Sequence, residues 1–327
     1  MRGVCPVAIC ILIASCGHND VDLRTALAER FEASGEQYVL WSGVRGPAVF
    51  TRDAGDVVKA MAAAAGCEIG RDEYGIACVY PSVLGSGVGG VRLPGEVDPR
   101  EYAEADIHSV MLAIAREANR NLAVGPGVSG RISGSVDTGE WRSALASVIP
   151  SGFVLAERGG VVRIVQRPPA SGSGPAEISC RESDVREVVE LIEEKSGLRC
   201  VVRPDVEGIV SMHVYGVPWR HVLSVVADAV GADVLRNQDG DYVLVKRPLE
   251  EMFSLCIVPA LVSDLVRSGR EMMNLSVTLE LPPKLLEESV SWAVMMSRLQ
   301  YVVLIGDLCG ADVFMSEDPD HLTIRAR

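Results

Sequence analysis

Residues 85–90 are a pattern that could bind a cofactor, because they fit the glycine fingerprint G-x-G-x-x-G. In dinucleotide-binding proteins this loop leads into a helix whose N-terminus faces the pyrophosphate. Here the loop is followed by residues 91–95, Val-Arg-Leu-Pro-Gly, which cannot open a helix. The pattern therefore indicates a flexible linker and no bound dinucleotide.

Histidine, serine and acidic residues could supply a metal site or a nucleophile, but their spacing favours neither. No two histidines stand at i, i+4 and none has a cysteine at metal-ligand spacing, which predicts solvated or core side chains. Ser129, in Gly127-Val128-Ser129-Gly130, lacks the two-glycine elbow of a hydrolase nucleophile, and Glu187 and Glu190 fall on a solvated helix face. The sequence predicts no catalytic residue, no cofactor and no metal ion. The histidines are His18, His108, His213, His221 and His321.

Net charge limits the classes of partner. The 327 residues carry 31 Lys and Arg against 44 Asp and Glu, a formal charge of −13. A surface this negative repels phosphate backbones and anionic lipid head groups. We therefore expect no nucleic-acid binding, and contact with a membrane needs an anchor other than basic side chains.

The first residues predict such an anchor. Arg2 precedes an apolar run at 4–14, which is too short for the roughly 20 residues that span a bilayer and fits an export signal better. Residues 13–16, Ile-Ala-Ser-Cys, resemble the lipobox of bacterial lipoproteins. The resemblance implies a signal peptide at 1–15, lipid on Cys16 and, with Gly17 next, an outer-membrane destination; an ordinary signal with a buried cysteine is the alternative.

Cysteines after residue 16 are even in number, so an oxidising compartment permits up to three bridges. Cys67 and Cys78 flank a segment that reads as a hairpin turning near Asp72 and Glu73, which would set the two sulfur atoms opposite each other. A disulfide and two buried free thiols are both compatible with this pattern. The cysteines are Cys67, Cys78, Cys180, Cys200, Cys256 and Cys309.

One order of signals recurs along the chain. An aspartate followed by an aliphatic residue opens a predicted helix, and a glycine closes a second helix 44, 46, 47 and 46 residues later. A predicted hairpin follows each glycine. Trp141 and Trp219 both stand 35 residues after their aspartates, and this shared register favours a packing role over an interface role. The pairs are Asp22 with Gly66, Asp106 with Gly152, Asp184 with Gly231, and Asp264 with Gly310.

The third of these units resembles the short domain at the N-terminus of secretins and TonB-dependent receptors. The resemblance rests on residues 177–179, 183–185, 201–208 and 217–219, together with Gly231. The second unit keeps residues 128–130 and Trp141, while Ala54 and Arg298 replace the tryptophan in the first and fourth. The family implies an α+β fold of βαββαββ-like repeats, with two helices between small sheets. The predicted units are 22–81, 100–168, 176–248 and 252–327, with linkers at 82–99 and 169–175.

The resemblance also implies a function. A secretin would continue into a pore-forming barrel, whereas the chain ends with the fourth unit at Arg327, so we expect docking modules without a pore. We expect a periplasm-facing outer-membrane lipoprotein, not an enzyme, that acts as a scaffold or adaptor in a secretion, pilus or uptake system. Its partners would be envelope proteins, a secretin or pilus component among them, with self-association through sheet edges. The alternatives are a ligand-sensing module like that of TonB-dependent receptors and an envelope hydrolase with an unrecognised site.

Overall fold

The computed structural model describes the chain in several stretches. The predicted signal peptide, Cys16 and most of both predicted linkers lie outside them. Within the described stretches, no helix combines the length and the apolar character that crossing a membrane requires. The described residues are 22–46, 48, 57–82, 101–137, 139–158, 160–168, 177–248, 253–273, 276–316 and 321–327.

We divide the described chain into segments 1 to 4, residues 22–82, 101–168, 177–248 and 253–327. Segment 1 contains α1 (Leu23–Ser34), β1 (Tyr38–Leu40), α2 (Val57–Ala64), β2 (Cys67–Arg71) and β3 (Ala77–Pro81). Segment 2 contains β4 (Glu101–Asp106), α3 (Ile107–Glu117), β5 (Asn121–Val124), β6 (Arg131–Ser135), α4 (Trp141–Val148), β7 (Phe153–Arg158) and β8 (Val161–Gln166).

Segment 3 contains β9 (Ile178–Asp184), α5 (Val185–Ser196), β10 (Cys200–Val202), β11 (Ile209–Val214), α6 (Trp219–Ala229), β12 (Ala232–Arg236) and β13 (Tyr242–Lys246). Segment 4 contains β14 (Phe253–Leu261), α7 (Val262–Met273), β15 (Ser276–Glu280), α8 (Pro283–Leu286), β16 (Ser289–Met296), α9 (Arg298–Leu308), β17 (Ala311–Met315) and β18 (His321–Ala326). Segments 2 and 3 therefore have the order βαββαββ, and segment 4 adds the short α8 to it.

Local signals explain where the helices begin and end. Asp184 has extended backbone angles and its carboxylate accepts a hydrogen bond from the Arg186 amide at 2.9 Å, which caps α5. Asp22 and Asp106 cap α1 and α3 in the same way. The prediction for Asp264 was wrong, because α7 begins at Val262 and places Asp264 inside the first turn. All four predicted closing glycines have φ between 64° and 90°, a region that strains other residues.

Within segment 3 two helices lie between two small sheets. Strands β9 and β11 pair on one side, and β10, β13 and β12 pair on the other. Helix α5 contacts β9 and β10, and α6 contacts β11 and β12. The mixed α/β class with small sheets is confirmed. The partly buried Trp219, at the start of α6, packs against the core, as does Trp141 at the start of α4, which agrees with the packing role inferred for both.

The sheets continue from one segment into another. Strand β1 pairs antiparallel with β11, β12 pairs parallel with β17, and β16 pairs antiparallel with β5. The segments are therefore joined in the order 1, 3, 4, 2, which is not their order in the chain. A sheet of two or three strands leaves unpaired backbone groups at its edges, and here a neighbouring segment satisfies them.

The apolar cores follow the same arrangement, because each of the three clusters contains residues of more than one segment. One cluster joins Tyr38 of segment 1 with Met212 of segment 3. A second centres on Trp292 of segment 4 and includes Leu235 of segment 3. The third belongs to segment 2 and includes Ala293 of segment 4.

The predicted hairpin at 67–81 is present, but its register keeps the two cysteines apart. Cys67 faces Pro81 and Cys78 faces Gly70, three positions along the ladder. Three positions correspond to about 10 Å, whereas a disulfide needs Cα atoms within about 7 Å. Alternation also turns the two side chains to opposite faces. Both are buried free thiols, so the second of the two interpretations left open fits the structure.

Candidate functional site: a charged junction and an open sheet edge

Arg158, the last residue of β7, lies where all four segments meet. Its Nε is 2.7 Å from Asp228 Oδ2, on α6 of segment 3. Its Nη2 is 2.5 Å from Asp307 Oδ2, on α9 of segment 4, and its Nη1 is 3.8 Å from Glu73 Oε1, in the β2–β3 turn of segment 1. The side chain is only 7% exposed, so these carboxylates replace water as the neighbours of its charge. Arg158, these three carboxylates and the residues that pair with them form a cluster that we call the central junction. Its members are Glu73, Arg158, Arg163, Asp228, Asp233, Arg247 and Asp307.

Two further arginines complete the central junction. Arg247 forms ion pairs with Asp228 and, at 2.8 Å between Nε and Oδ1, with Asp233. Arg163 Nη1 is 2.9 Å from Asp307 Oδ2. Asp228 and Asp307 thus each contact two arginines. This sharing offsets the cost of taking the charges out of water.

The surroundings shift the pKa values of the acids in different directions. Burial alone would raise the pKa of Asp307, but Arg158 and Arg163 outweigh it and lower that pKa to about 2. Burial also opposes ionisation of Asp228, and Arg247 and Arg158 again lower its pKa. For Asp233 burial prevails over Arg247, so its pKa is raised. Asp228 and Asp307 are therefore ionised at neutral pH.

A repeated sequence pattern places these acids, and our sequence analysis missed it. Residues 228–233 read Asp-Ala-Val-Gly-Ala-Asp and residues 307–312 read Asp-Leu-Cys-Gly-Ala-Asp. Each stretch contains a closing glycine, so the repeat puts one carboxylate in the last helical turn and one on the next strand. In the second copy Asp312 pairs with Arg220 and, at 3.0 Å from Oδ2 to Nε, with Arg236. Of these acids, Asp228, Asp307 and Asp312 pair with arginines of another segment, whereas Asp233 pairs with Arg247 of its own.

His221, on α6, lies between two carboxylates of the β2–β3 turn. Its Nε2 is 2.7 Å from Asp72 Oδ2 and its Nδ1 is 3.4 Å from Glu73 Oε1. The other oxygen of Asp72 accepts hydrogen bonds from the amides of Tyr74 at 2.9 Å and Ile76 at 2.8 Å. The Tyr74 ring packs on the imidazole with centroids 4.3 Å apart. Sequence spacing gave no sign of this cluster, because its members come from different segments.

His108 lies in the core and contacts residues of two segments. His108 is buried, with Nδ1 2.8 Å from Ser291 Oγ and Nε2 2.8 Å from the carbonyl of Val128. A serine beside a histidine can act as a nucleophile, but Ser291 is 0% exposed and His108 2%. A substrate cannot reach this pair. It ties segment 2 to segment 4, as expected for a core histidine.

Two cavities border the central junction. A cavity of about 340 Å³ is lined by the junction arginines and by Trp41, Asn121 and Leu304. A cavity of about 860 Å³ reaches from Arg158 and Arg163 to Glu73 and His221. Arg158, Arg163 and Arg220 line both. Solvent can therefore approach the His221 cluster from the larger cavity.

Strand β9 forms an edge of its five-stranded sheet. A groove of about 430 Å³ lies between β9 and α5, with Cys180, Val188 and Leu191 among its lining residues. Three glutamates on α5 also line the groove, and all three are exposed. We call this surface the β9 groove; the glutamates are Glu187, Glu190 and Glu194.

Sequence comparison finds a protein that is similar to part of this chain. No family model matches the chain. A stretch of 80 residues is 31% identical to the DNA utilization protein HofQ of Escherichia coli (strain K12). The match covers 24% of this chain and 19% of HofQ, so the chain matches about a fifth of that relative's length.

Several solved chains are similar in structure to this one. The structure of XcpQN012 shares 19% identity over 42% of this chain and 64% of its own, with a TM-score of 0.20. The N-terminal domain of the secretin XcpQ from Pseudomonas aeruginosa has the same identity and coverage and a TM-score of 0.19. The chain spans just under two thirds of each.

Proposed function

We propose that this protein is a non-catalytic scaffold of the bacterial cell envelope that binds other proteins by strand addition at an open sheet edge. The observation that carries the proposal is the pairing of β1 with β11, of β12 with β17 and of β16 with β5. In each case an edge of one segment is extended by a strand from another. The same backbone chemistry is available to a partner protein.

We assign the edge strand β9, together with the β9 groove beside it, to the partner. Its floor includes Cys180, Val188 and Leu191, which can receive apolar side chains of an added strand. The glutamates of α5 beside it favour basic residues on that strand, in a chain whose formal charge is −13. The expected partner is an extended segment that alternates apolar and basic residues.

Location and pathway complete the proposal. The lipobox-like residues 13–16 support a lipid on Cys16 and a place at the outer membrane facing the periplasm. The resemblance of segment 3 to secretin N-terminal domains, together with the partial match to HofQ, supports a role in a secretion, pilus or uptake system.

Site-specific photo-cross-linking in the native host tests the proposal. A photoreactive residue replaces Ser179 on β9 or, as a control, Asp239 in the β12–β13 turn; both positions are exposed. We expect an envelope protein to be cross-linked from position 179 and not from 239. Glu190→Lys should weaken that cross-link, whereas Glu29→Lys on α1 should not. Equal cross-linking from both positions, or none from 179, would count against strand addition at β9.

A further inference from the structure

We propose that β10 of one copy of this chain pairs antiparallel with β6 of a second copy, so that copies associate head to tail. The proposal goes beyond the binding of an envelope partner, because it uses neither β9 nor the β9 groove.

Two contacts between segments follow one rule. In each, the strand after the first helix of one segment pairs antiparallel with the strand before the second long helix of another. Strand β1 pairs with β11 in this way, and β5 pairs with β16. We call the first kind post-helix strands and the second kind pre-helix strands. The post-helix strands are β1, β5, β10 and β15, and the pre-helix strands are β6, β11 and β16.

The two contacts also share a register. Val39 of β1 faces Met212 of β11, and Ala123 of β5 faces Trp292 of β16. Val39 and Ala123 each stand 17 residues after the aspartate that caps the preceding helix. Met212 and Trp292 are each the first paired residue after a shift in the pairing with the strand that opens their segment. The rule therefore predicts which residues face each other wherever the contact is repeated.

Strand β10 is a post-helix strand with an open edge, because it is the last strand of its six-stranded sheet. Val201, 17 residues after the cap Asp184, is the counterpart of Val39 and Ala123. Those two residues are 0% exposed, whereas Val201 is 48% exposed. An apolar side chain thus lies uncovered at the position that the contact buries in two other segments.

The backbone of β10 is oriented to accept a further strand. The Tyr242 amide of β13 donates to the carbonyl of Arg199. Alternate residues of a strand bond to the same neighbour, so Cys200 turns its backbone groups away from β13. Its amide donates to Glu193 Oε1 at 2.7 Å, a side chain in the place of a strand carbonyl. An added strand would replace Glu193 there.

Strand β6 is a pre-helix strand with an open edge. Among the described strands it pairs only with β4. Gly134 is the first paired residue after the shift in that pairing, so it corresponds to Met212 and Trp292. Those two residues are 0% exposed, whereas Gly134 and its neighbours Ser133 and Ser135 are exposed. The position that β1 and β5 cover in other segments is therefore uncovered in β6.

A local contact supports the correspondence of β6 with β11. The Glu104 amide donates to Ser133 Oγ at 3.1 Å, and the Glu182 amide donates to Ser211 Oγ at 2.9 Å. Both glutamates have positive φ, 52° and 49°. The two pairs of strands therefore share the same irregularity, which fixes the alignment of β6 on β11.

A second copy of the chain supplies the partner for both edges. Strand β10 lacks a pre-helix strand and β6 lacks a post-helix strand, and the two do not pair within one chain. In the shared register Val201 faces Gly134, and Ile132 and Val136 lie on the same face two positions to either side. A Cβ at Gly134 would meet open space, so Val201 has room there. Strand β15 also ends the sheet, but its middle residue Thr278 is polar and exposed, so it offers no apolar side chain to cover.

Sedimentation velocity of the full chain at rising concentration tests the association. Because β10 and β6 are different edges, each copy can bind one copy at β10 and another at β6, so we expect species larger than a dimer. Val201→Lys places a charge at the edge of β10, and Ser135→Pro removes the amide that would face Cys200. Each variant alone should sediment as a monomer at concentrations where the wild type associates. Tyr215→Lys is the matched control and should associate like the wild type, because Tyr215 is 44% exposed and lies in neither strand.

Mixing the two variants tests whether the edges are complementary. The Val201→Lys chain keeps β6 and the Ser135→Pro chain keeps β10, so an equal mixture should form a dimer and nothing larger. Melting curves followed by circular dichroism show that each variant is folded. The cross-link from position 179 should be unchanged in Val201→Lys, so this proposal and the assignment of the β9 groove fail separately.

Three results would overturn the proposal. The first is a wild-type chain that stays monomeric at every concentration. The second is a Val201→Lys or Ser135→Pro chain that associates alone as the wild type does, which would also show that an anchor or another surface drives association. The third is a mixture of the two folded variants that remains monomeric.

Discussion

Arg158 is the residue whose loss should damage the fold most clearly. The substitution Arg158→Met keeps an unbranched side chain of similar length but removes the charge that contacts Asp228, Asp307 and Glu73. Those carboxylates come from segments 3, 4 and 1, so the substitution weakens the contact of segment 2 with each of the others. The remaining acids would then face each other with fewer cations between them.

The magnitude follows from what each acid retains. Removing one partner of a buried ion pair costs about 3–5 kcal/mol. Asp228 keeps Arg247 and Asp307 keeps Arg163, so we expect the lower end, about 3 kcal/mol of unfolding free energy at pH 7.

The pH dependence gives the sign of the electrostatic part. The folded pKa of Asp307 is about 2, against about 3.9 for an unfolded aspartate. This difference stabilises the folded chain by about 2–3 kcal/mol above pH 4, and the contribution is lost as the pH falls towards 2. Arg158→Met raises the pKa of Asp307 in the folded chain and therefore removes part of this stabilisation. The difference in stability between the wild type and the variant should therefore shrink between about pH 4 and pH 2.

Urea unfolding followed by circular dichroism measures both effects. Arg167→Met is the matched control, because Arg167 is exposed just after β8, and a change of less than about 0.5 kcal/mol is expected there. A loss below about 1 kcal/mol for Arg158→Met at pH 7 would refute the reasoning, since it falls under the range for a broken buried pair. A loss that is the same at pH 7 and pH 3 would refute the electrostatic cause.

Three other predictions concern local structure. Asp184→Ala removes the cap of α5 and should lower the free energy of unfolding in urea by about 1 kcal/mol. Asp264 lies inside the first turn of α7, so Asp264→Ala should cost less than half of that. Equal losses for the two variants would contradict the assigned start of α7. Gly231→Ala places alanine at φ +68° with open space around the new Cβ, so strain of the backbone alone should cost about 1–2 kcal/mol by the same measurement; an unchanged midpoint would show that φ is not left-handed there. Burial raises the pKa of the Cys67 and Cys78 thiols, so iodoacetamide should label them only after unfolding, and peptide mass spectrometry that finds them unlabelled in unfolded, unreduced protein would indicate a disulfide after all.

Local features could be predicted from sequence because each depends on a few adjacent residues. The aspartate caps of α1, α3 and α5 and the glycines that close the second helices follow from backbone chemistry within one turn. The prediction that Asp264 caps α7 was wrong because an aspartate followed by an aliphatic residue also fits the first turn of a helix. There a carboxylate is favourable without being the cap.

The contacts between segments could not be predicted in this way. The pairing of edge strands between segments depends on the shape of the assembled surfaces. No local sequence pattern identifies β5 and β16 as partners. The His221 cluster is hidden for the same reason, since Asp72 and His221 meet only when segment 1 docks on segment 3. The central junction was partly visible, because the pattern at 228–233 recurs at 307–312, but an aspartate on a helix end reads as surface until its burial is known.

The order in which the segments are joined has a consequence for biosynthesis. Strand β5 is made early, yet the strand that completes its sheet contains Trp292, opposite Ala123. Domains that fold on their own can form as the chain emerges, whereas here the edge of β5 has to wait for β16, because Ala123 pairs with Trp292, 169 residues further along the chain. Pairing between positions so distant in sequence is also slow. Until it occurs, the nascent chain carries an uncovered strand that a chaperone would need to shield from other copies.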